Sequence, residues 1–198
     1  MRKFLAILFL LCTVSLGFVP LPVCSAAGAA APELVQLTDM SFPEFFQLLE
    51  AHSAAKGTGL TFDKPPAEPI PGKLYDAYVF GAVRKGVPGQ QGVFITAYAN
   101  KAGYVSKVAL AVPVSNGEAL QDAYAAEYAL LGVVGIEDTK AKRLMGYLKA
   151  RRVPFEVAVW NHWAQRNLVI SHGPASISDK VFYIRLTAYD KTFPSENR

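Results

Sequence analysis

Two runs of three neighbouring β patterns constrain the fold of this 198-residue chain more than any other feature. In the last pattern, apolar positions such as Ile184 and Leu186 alternate with more polar ones such as Arg185 and Thr187, which is the period of a strand with two different faces. Neighbouring strands joined by short loops favour antiparallel pairing. The six predicted strands are Tyr75–Val83, Val93–Ala99, Tyr104–Val112, Phe155–Trp163, Leu168–His172 and Lys180–Tyr189.

Helical patterns precede each run of strands. Ser41 and Glu44 have the spacing of a capping box, and the predicted helix continues to Gly57 with a stripe of Phe42, Phe45, Phe46 and Leu49. Ser115 and Glu118 repeat the capping pattern before a helix through Leu131, whose expected stripe is Leu120, Tyr124, Tyr128 and Leu131. Asp138 or Thr139 is the predicted N-cap of a third helix, which has a stripe of Ala141, Leu144, Met145 and Leu148.

These patterns predict an α+β fold of two layers. We expect an antiparallel sheet of about six strands, in two three-stranded runs, with three helices packed mainly on one face. Residues 30–72 contribute the first helix and a proline-rich connector, and they form a single domain with the body, residues 73–198. The four prolines between Gly57 and Gly72 predict an extended segment without ladder hydrogen bonds.

Residues 1–29 have the order of a secretory signal peptide. Arg2 and Lys3 precede an apolar stretch, and small residues follow that permit cleavage after Ala27 or Ala29. This predicts an exported, periplasmic or extracellular protein. Two alternatives remain open: lipid attachment at Cys24, and retention of the apolar stretch as a membrane anchor.

Composition excludes several classes of protein. Cys12 and Cys24 are the only cysteines, so the sequence beyond Ala29 has neither disulfides nor cysteine-ligated zinc. The formal net charge of +4 falls by two when Arg2 and Lys3 leave with the signal peptide. Such a balance does not indicate a nucleic-acid partner.

The polar side of the predicted sheet is the candidate binding surface. Period-two alternation places aromatic, cationic and hydroxyl side chains there, a mixture that can hold a glycan or a peptide or mediate formation of a homodimer. Cross-strand aromatic pairs also stabilise a sheet without any ligand. The surface comprises Phe94, Thr96, Tyr98, Lys107, Glu156, Trp160, His162, Tyr183, Arg185 and Tyr189, and we select Tyr98, Lys107, Trp160, His162, Tyr183 and Arg185 as ligand-binding candidates.

No catalytic residue, metal site or cofactor is predicted. His162 and His172 could approach each other across a hairpin but belong to no metal-binding motif, and Ser171 and His172 must point to opposite faces of a strand. Asp122 lies near a helix start, where its charge is stabilising without acid–base chemistry. An enzyme would need a deep pocket that joins His162 or His172 to a carboxylate.

The sequence therefore favours a non-catalytic binding or assembly module over a structural, self-associating protein. A hydrolase is the third alternative.

Overall fold

The computed structural model describes residues 34–84, 92–113, 117–150, 155–161, 166–175 and 178–189. The predicted signal peptide and the predicted capping residue Ser115 lie outside these ranges. Within them, no helix is both long enough and apolar enough to cross a membrane.

The described residues form one antiparallel sheet. Its strand order is β2-β3-β4-β5-β8-β7-β6, and the two-residue β1 pairs with β8. The strands are β1 (Leu34–Val35), β2 (Leu60–Phe62), β3 (Tyr75–Arg84), β4 (Val93–Asn100), β5 (Val105–Pro113), β6 (Phe155–Asn161), β7 (Arg166–Ala175) and β8 (Ser178–Tyr189).

Two three-stranded meanders meet at the centre of this sheet. Strands β3, β4 and β5 form one meander, β6, β7 and β8 form the other, and β5 pairs with β8 in antiparallel orientation. A single row of cross-strand partners therefore runs outward from Leu110 and Ile184 on both sides. Its members are Phe80, Ile95, Leu110, Ile184, His172 and Phe155. Ile95 is the neighbour of Leu110 in this row, and His172 is the neighbour of Ile184. The two residues therefore occupy equivalent positions in the two meanders.

The described part of the chain also contains three helices: α1 (Phe42–Ala55), α2 (Gly117–Val133) and α3 (Asp138–Lys149). The capping box predicted at the start of α1 is present, and the backbone N–H of Ser41 donates to Glu44 Oε2 at 2.9 Å. The N-cap of α3 is Glu137, one residue before the earlier of the two predicted positions.

Gly135 ends α2. Its N–H donates to the carbonyl of Gly132 at 2.9 Å, and the N–H of Ile136 donates to the carbonyl of Leu131 at 2.8 Å, which is the pattern of a Schellman motif. Gly135 has a φ of +79°, a left-handed conformation that glycine adopts without steric cost. The turn reverses the chain into α3.

One buried cluster joins the helices to alternate positions of the strands. On β4, Val93, Ile95 and Ala97 are fully buried, whereas the residues between them are half-buried. The cluster also includes the predicted stripes of α1 and α3. The prediction that Leu120, Tyr124 and Tyr128 form the main buried face of α2 is wrong, because all three are only half-buried. The fully buried apolar positions of α2 are four alanines and two leucines: Ala119, Ala123, Ala126, Ala129, Leu130 and Leu131.

The α+β class and the antiparallel pairing are confirmed, while the strand number is slightly higher than predicted. The prediction of a connector without ladder hydrogen bonds is wrong. β2 precedes the first proline and pairs with β3, and Ile70 exchanges two backbone hydrogen bonds with Ala77. The prolines remove donors only at their own positions, so the residues between them remain able to pair.

Replacing Gly135 with alanine should lower the free energy of unfolding by about 1–2 kcal/mol, because a Cβ disfavours the left-handed conformation. Gly146→Ala is the matched control. A Cβ at Gly146, inside α3, meets no atom within 4 Å, so this change should raise stability by about 0.5–1 kcal/mol. Urea unfolding measures both variants, and equal stability of the two would contradict the assignment of Gly135 as the helix cap.

Candidate functional sites

Strand positions that alternate with the buried ones form what we call the second face of the sheet. Cross-strand register brings four of the six ligand-binding candidates together on β4, β5 and β8. Tyr98, Lys107 and Tyr183 are half-buried, and Arg185 is exposed. The described second face of β4, β5 and β8 comprises Phe94, Thr96, Tyr98, Lys107, Ala109, Ala111, Tyr183, Arg185, Thr187 and Tyr189.

Lys107 lies between two tyrosine rings. Its Nζ is 4.3 Å from the ring centroid of Tyr98, the residue directly opposite on β4, and 5.0 Å from that of Tyr75 on β3. Both distances are within the range of a cation–π interaction. Burial, and secondarily the charge of Arg185, lower the pKa of Lys107 below the ordinary lysine value. The two rings thus hold the ammonium group in place but do not fully balance its positive charge.

Arg185 repeats this arrangement on the next strand. Its guanidinium carbon is 5.1 Å from the ring centroid of Tyr183. Arg185 pairs with Ala109, two residues from Lys107, so the two cations are diagonal neighbours across β5 and β8. Within the ranges that the structure describes, neither cation forms an ion pair with a carboxylate.

The remaining candidates are only partly described. Trp160 lies on β6, and its backbone pairs with Asn167 of β7. The side chain of Trp160 and all of His162 lie outside the described residues. His172 pairs with Phe155. The suggested approach of His162 to His172 stays a prediction, because His162 lies outside the described residues. Ser171 and His172 do separate as expected: Ser171 is half-buried beside Arg185, and His172 belongs to the buried row.

A second candidate site is a buried acid–base pair that the sequence did not indicate. Nε2 of His172 on β7 is 2.8 Å from Oε1 of Glu127 on α2. The two side chains are 1% and 0% exposed, respectively. Among the described residues, neither Oε2 of Glu127 nor Nδ1 of His172 has a hydrogen-bond partner. Burial raises the pKa of Glu127, although the hydrogen bond and charge of His172 and the charge of Lys149 oppose the increase.

Aromatic rings and one cation surround this pair. The imidazole lies 5.9 Å from the ring of Tyr124 and 5.8 Å from that of Phe182, between centroids. Nζ of Lys149, in the last turn of α3, is 4.9 Å from the centroid of Tyr124. Burial first, and then the charge of Glu127, raise the pKa of Tyr124. Elements α2, α3, β7 and β8 thus all meet at the pair.

A cleft of about 680 Å³ lies between the ends of α1 and α2 and the start of α3. Asp138 lies in its wall and binds Nζ of Lys56 and Nζ of Lys142 at 2.7 Å each. The hydroxyl of Tyr128 also donates to Asp138 at 2.5 Å. Hydrogen bonds from Lys142, Lys56 and Tyr128 hold the pKa of Asp138 well below its usual range. Both ammonium groups in the wall of this cleft therefore share Asp138 as a counter-ion.

Asp122 differs from its predicted role. It is fully buried, and Nη2 and Nε of Arg84 on β3 lie 2.8 and 3.0 Å from its Oδ1. The charge therefore ties α2 to a strand rather than only stabilising a helix start.

Replacing Arg185 with glutamine should raise the pKa of Lys107, because removing a nearby positive charge makes protonation of the ammonium group easier. Arg143→Gln on the exposed side of α3 removes the same charge far from this face and should leave the Lys107 pKa unchanged. NMR titration of the lysine side-chain signals measures both. An equal Lys107 pKa in the two variants would show that the cations of the second face do not interact.

Comparison of the chain with protein-family models, with curated proteins and with solved structures found no match. Two arrangements of side chains thus bear on function: the aromatic and cationic second face, and the buried Glu127–His172 pair.

Proposed function

We propose that this protein is a non-catalytic binding module whose second face holds an anionic glycan. The observation that carries the proposal is the position of Lys107 between Tyr75 and Tyr98, with Arg185 as its diagonal neighbour. Two cations of this kind repel each other and are incompletely compensated. An anionic group placed between the two cations would reduce their repulsion and balance their charge.

The chemistry of the second face favours a glycan over a peptide. The strands of β3, β4, β5 and β8 are paired on both sides, so the centre of the sheet has no unpaired backbone groups for an extended peptide. It offers tyrosine rings and fixed charges instead. Rings pack against the apolar faces of sugars, and ammonium and guanidinium groups bind the carboxylates of a uronic acid.

Self-association through the same face is less favourable. In a two-fold dimer the same patch meets itself, so Lys107 and Arg185 would face a second pair of cations. Like charges at an interface cost several kcal/mol unless an anion lies between them. A homodimer therefore remains an outcome of the experiment below rather than the proposal.

Two further inferences complete the proposed function. The helices cover the face of the sheet that contains Ile95 and Leu110, which leaves the second face for the ligand; the shared buried cluster supports this arrangement. The signal-peptide pattern of residues 1–29 supports action in the periplasm or outside the cell.

The hydrolase alternative has one observation in its favour, the contact of His172 with a carboxylate. An acid–base group must reach its substrate within hydrogen-bond distance. Both members of this pair are sealed, with exposed fractions of 1% and 0%. Binding at the second face is therefore better supported than hydrolysis at the pair.

Binding to polygalacturonate, a uronic-acid polymer, tests the proposal. A variant with Lys107→Gln and Arg185→Gln should bind at least about tenfold more weakly, because each hydrogen bond to a charged group contributes roughly 1.5–3 kcal/mol. The matched control, Lys140→Gln with Arg143→Gln, removes two exposed cations from α3 and should bind like the wild type. Isothermal titration calorimetry measures the affinities, with dextran as the neutral polymer.

Each other result would overturn part of the proposal. Equal binding of dextran would exclude charge recognition, and binding of polyglutamate alone would replace the glycan with an acidic peptide. A dimer that the Lys107 and Arg185 changes stabilise would identify the face as a self-association surface. If the α3 control weakened binding equally, the effect would come from the net charge of the protein and not from the second face.

A further inference from the structure

The Glu127–His172 pair occupies a position that packing alone would fill with an apolar side chain. His172 is buried in the same cross-strand row as Leu110 and Ile184, where the corresponding position of the other meander is Ile95. Ile95 is fully buried and serves the same core. Replacing a buried ion pair with apolar residues of similar volume is often neutral or stabilising. Stability therefore does not account for the pair.

The geometry makes the pair sensitive to protons. One proton shared between Oε1 of Glu127 and Nε2 of His172 keeps the buried group neutral overall. Loss of that proton leaves a carboxylate anion in the core, whose second oxygen has no partner among the described residues. Burying an uncompensated charge costs several kcal/mol.

We propose that the Glu127–His172 pair is a proton-responsive latch that holds α2 and α3 against β7 and β8 while it retains its shared proton. The latch joins α2 to β7 directly through the 2.8 Å contact. It reaches α3 through Tyr124 and Lys149, whose ammonium group lies over the Tyr124 ring. Opening lets water reach Glu127, and the charged carboxylate is then solvated.

The groups that face the pair set the direction of the response. Among the described residues, the titratable groups around Glu127 are Tyr124 on α2, Lys149 on α3 and His172 on β7, and Phe182 is the neighbour from β8. Because burial raises the pKa of Glu127 above its ordinary value of 4.5, the closed form retains a proton that the open form loses. The stabilisation is fully present below that ordinary value and is lost as the pH rises through the raised pKa. The positive charge of Lys149 favours the carboxylate form of Glu127, so it offsets part of this loss of stability.

Hydrogen exchange from about pH 5 to about pH 9 tests the latch, since the range begins just above the ordinary glutamate pKa. In the wild type, the protection factors of the α2 amides should fall by up to about tenfold per pH unit as the pair loses its proton. Glu127→Gln preserves the shape and the hydrogen bond but cannot ionise, so α2 protection should not fall as the pH rises. The β5 amides should keep their protection in both proteins, because the latch opens the helices and not the sheet.

Glu118→Gln is the matched control, since it makes the same change at an exposed position of the same helix and should keep the wild-type response. The same pH dependence in Glu127→Gln and the wild type would overturn the proposal, as would a wild type without any response.

A second measurement needs no variant. In ¹³C-glutamate-labelled wild-type protein, one carboxyl signal should titrate well above the ordinary range, at the pH where α2 loses protection. Titration of all glutamates in the ordinary range would overturn the proposal even if Glu127→Gln failed to fold.

Discussion

The pairing of β5 with β8 is the interaction on which the rest of this structure depends. Each meander is a three-stranded unit, and the two join through a register in which Leu110 lies opposite Ile184 and Val108 lies opposite Leu186. A shift by one residue would turn every buried side chain of one meander towards the second face. The same register therefore determines both the continuity of the core and the composition of the candidate binding surface.

The helices complete the core in two different ways. Helix α1 contributes large rings and Leu49, and Phe42 stacks on Tyr78 of β3 with 3.7 Å between centroids. Helix α2 buries alanines, which allow its backbone to approach its neighbours closely, and it contacts both α1 and the central strands. Near its C-terminus the helix also buries two large side chains completely, Leu130 and Leu131. Two buried polar contacts, from Asp122 to Arg84 and from Glu127 to His172, also link this helix to β3 and β7.

Local signals in the sequence predicted much of this fold, because they act over a few residues. The Ser41–Glu44 capping box fixed the start of α1, and period-two alternation placed Ile95 and Ile184 in the core. Strands β1 and β2 were missed because two or three residues are too few for a period to be recognised. Glu127 was missed for a different reason. A glutamate on a helix is normally solvated, and only its distant contact with His172 reveals that it is buried.

The second face and the buried pair are adjacent yet structurally independent. Arg185 directly follows Ile184, and the cross-strand neighbour of Ile184 is His172. Successive residues of a strand point to opposite faces, so one step along β8 leads from the core row to the ligand-binding candidates. A charge can therefore be removed from the second face without changing a contact of the buried pair, and the reverse also holds. The fold thus allows the proposed ligand binding and the proposed response to protons to be altered separately, even though both sites include residues of β8.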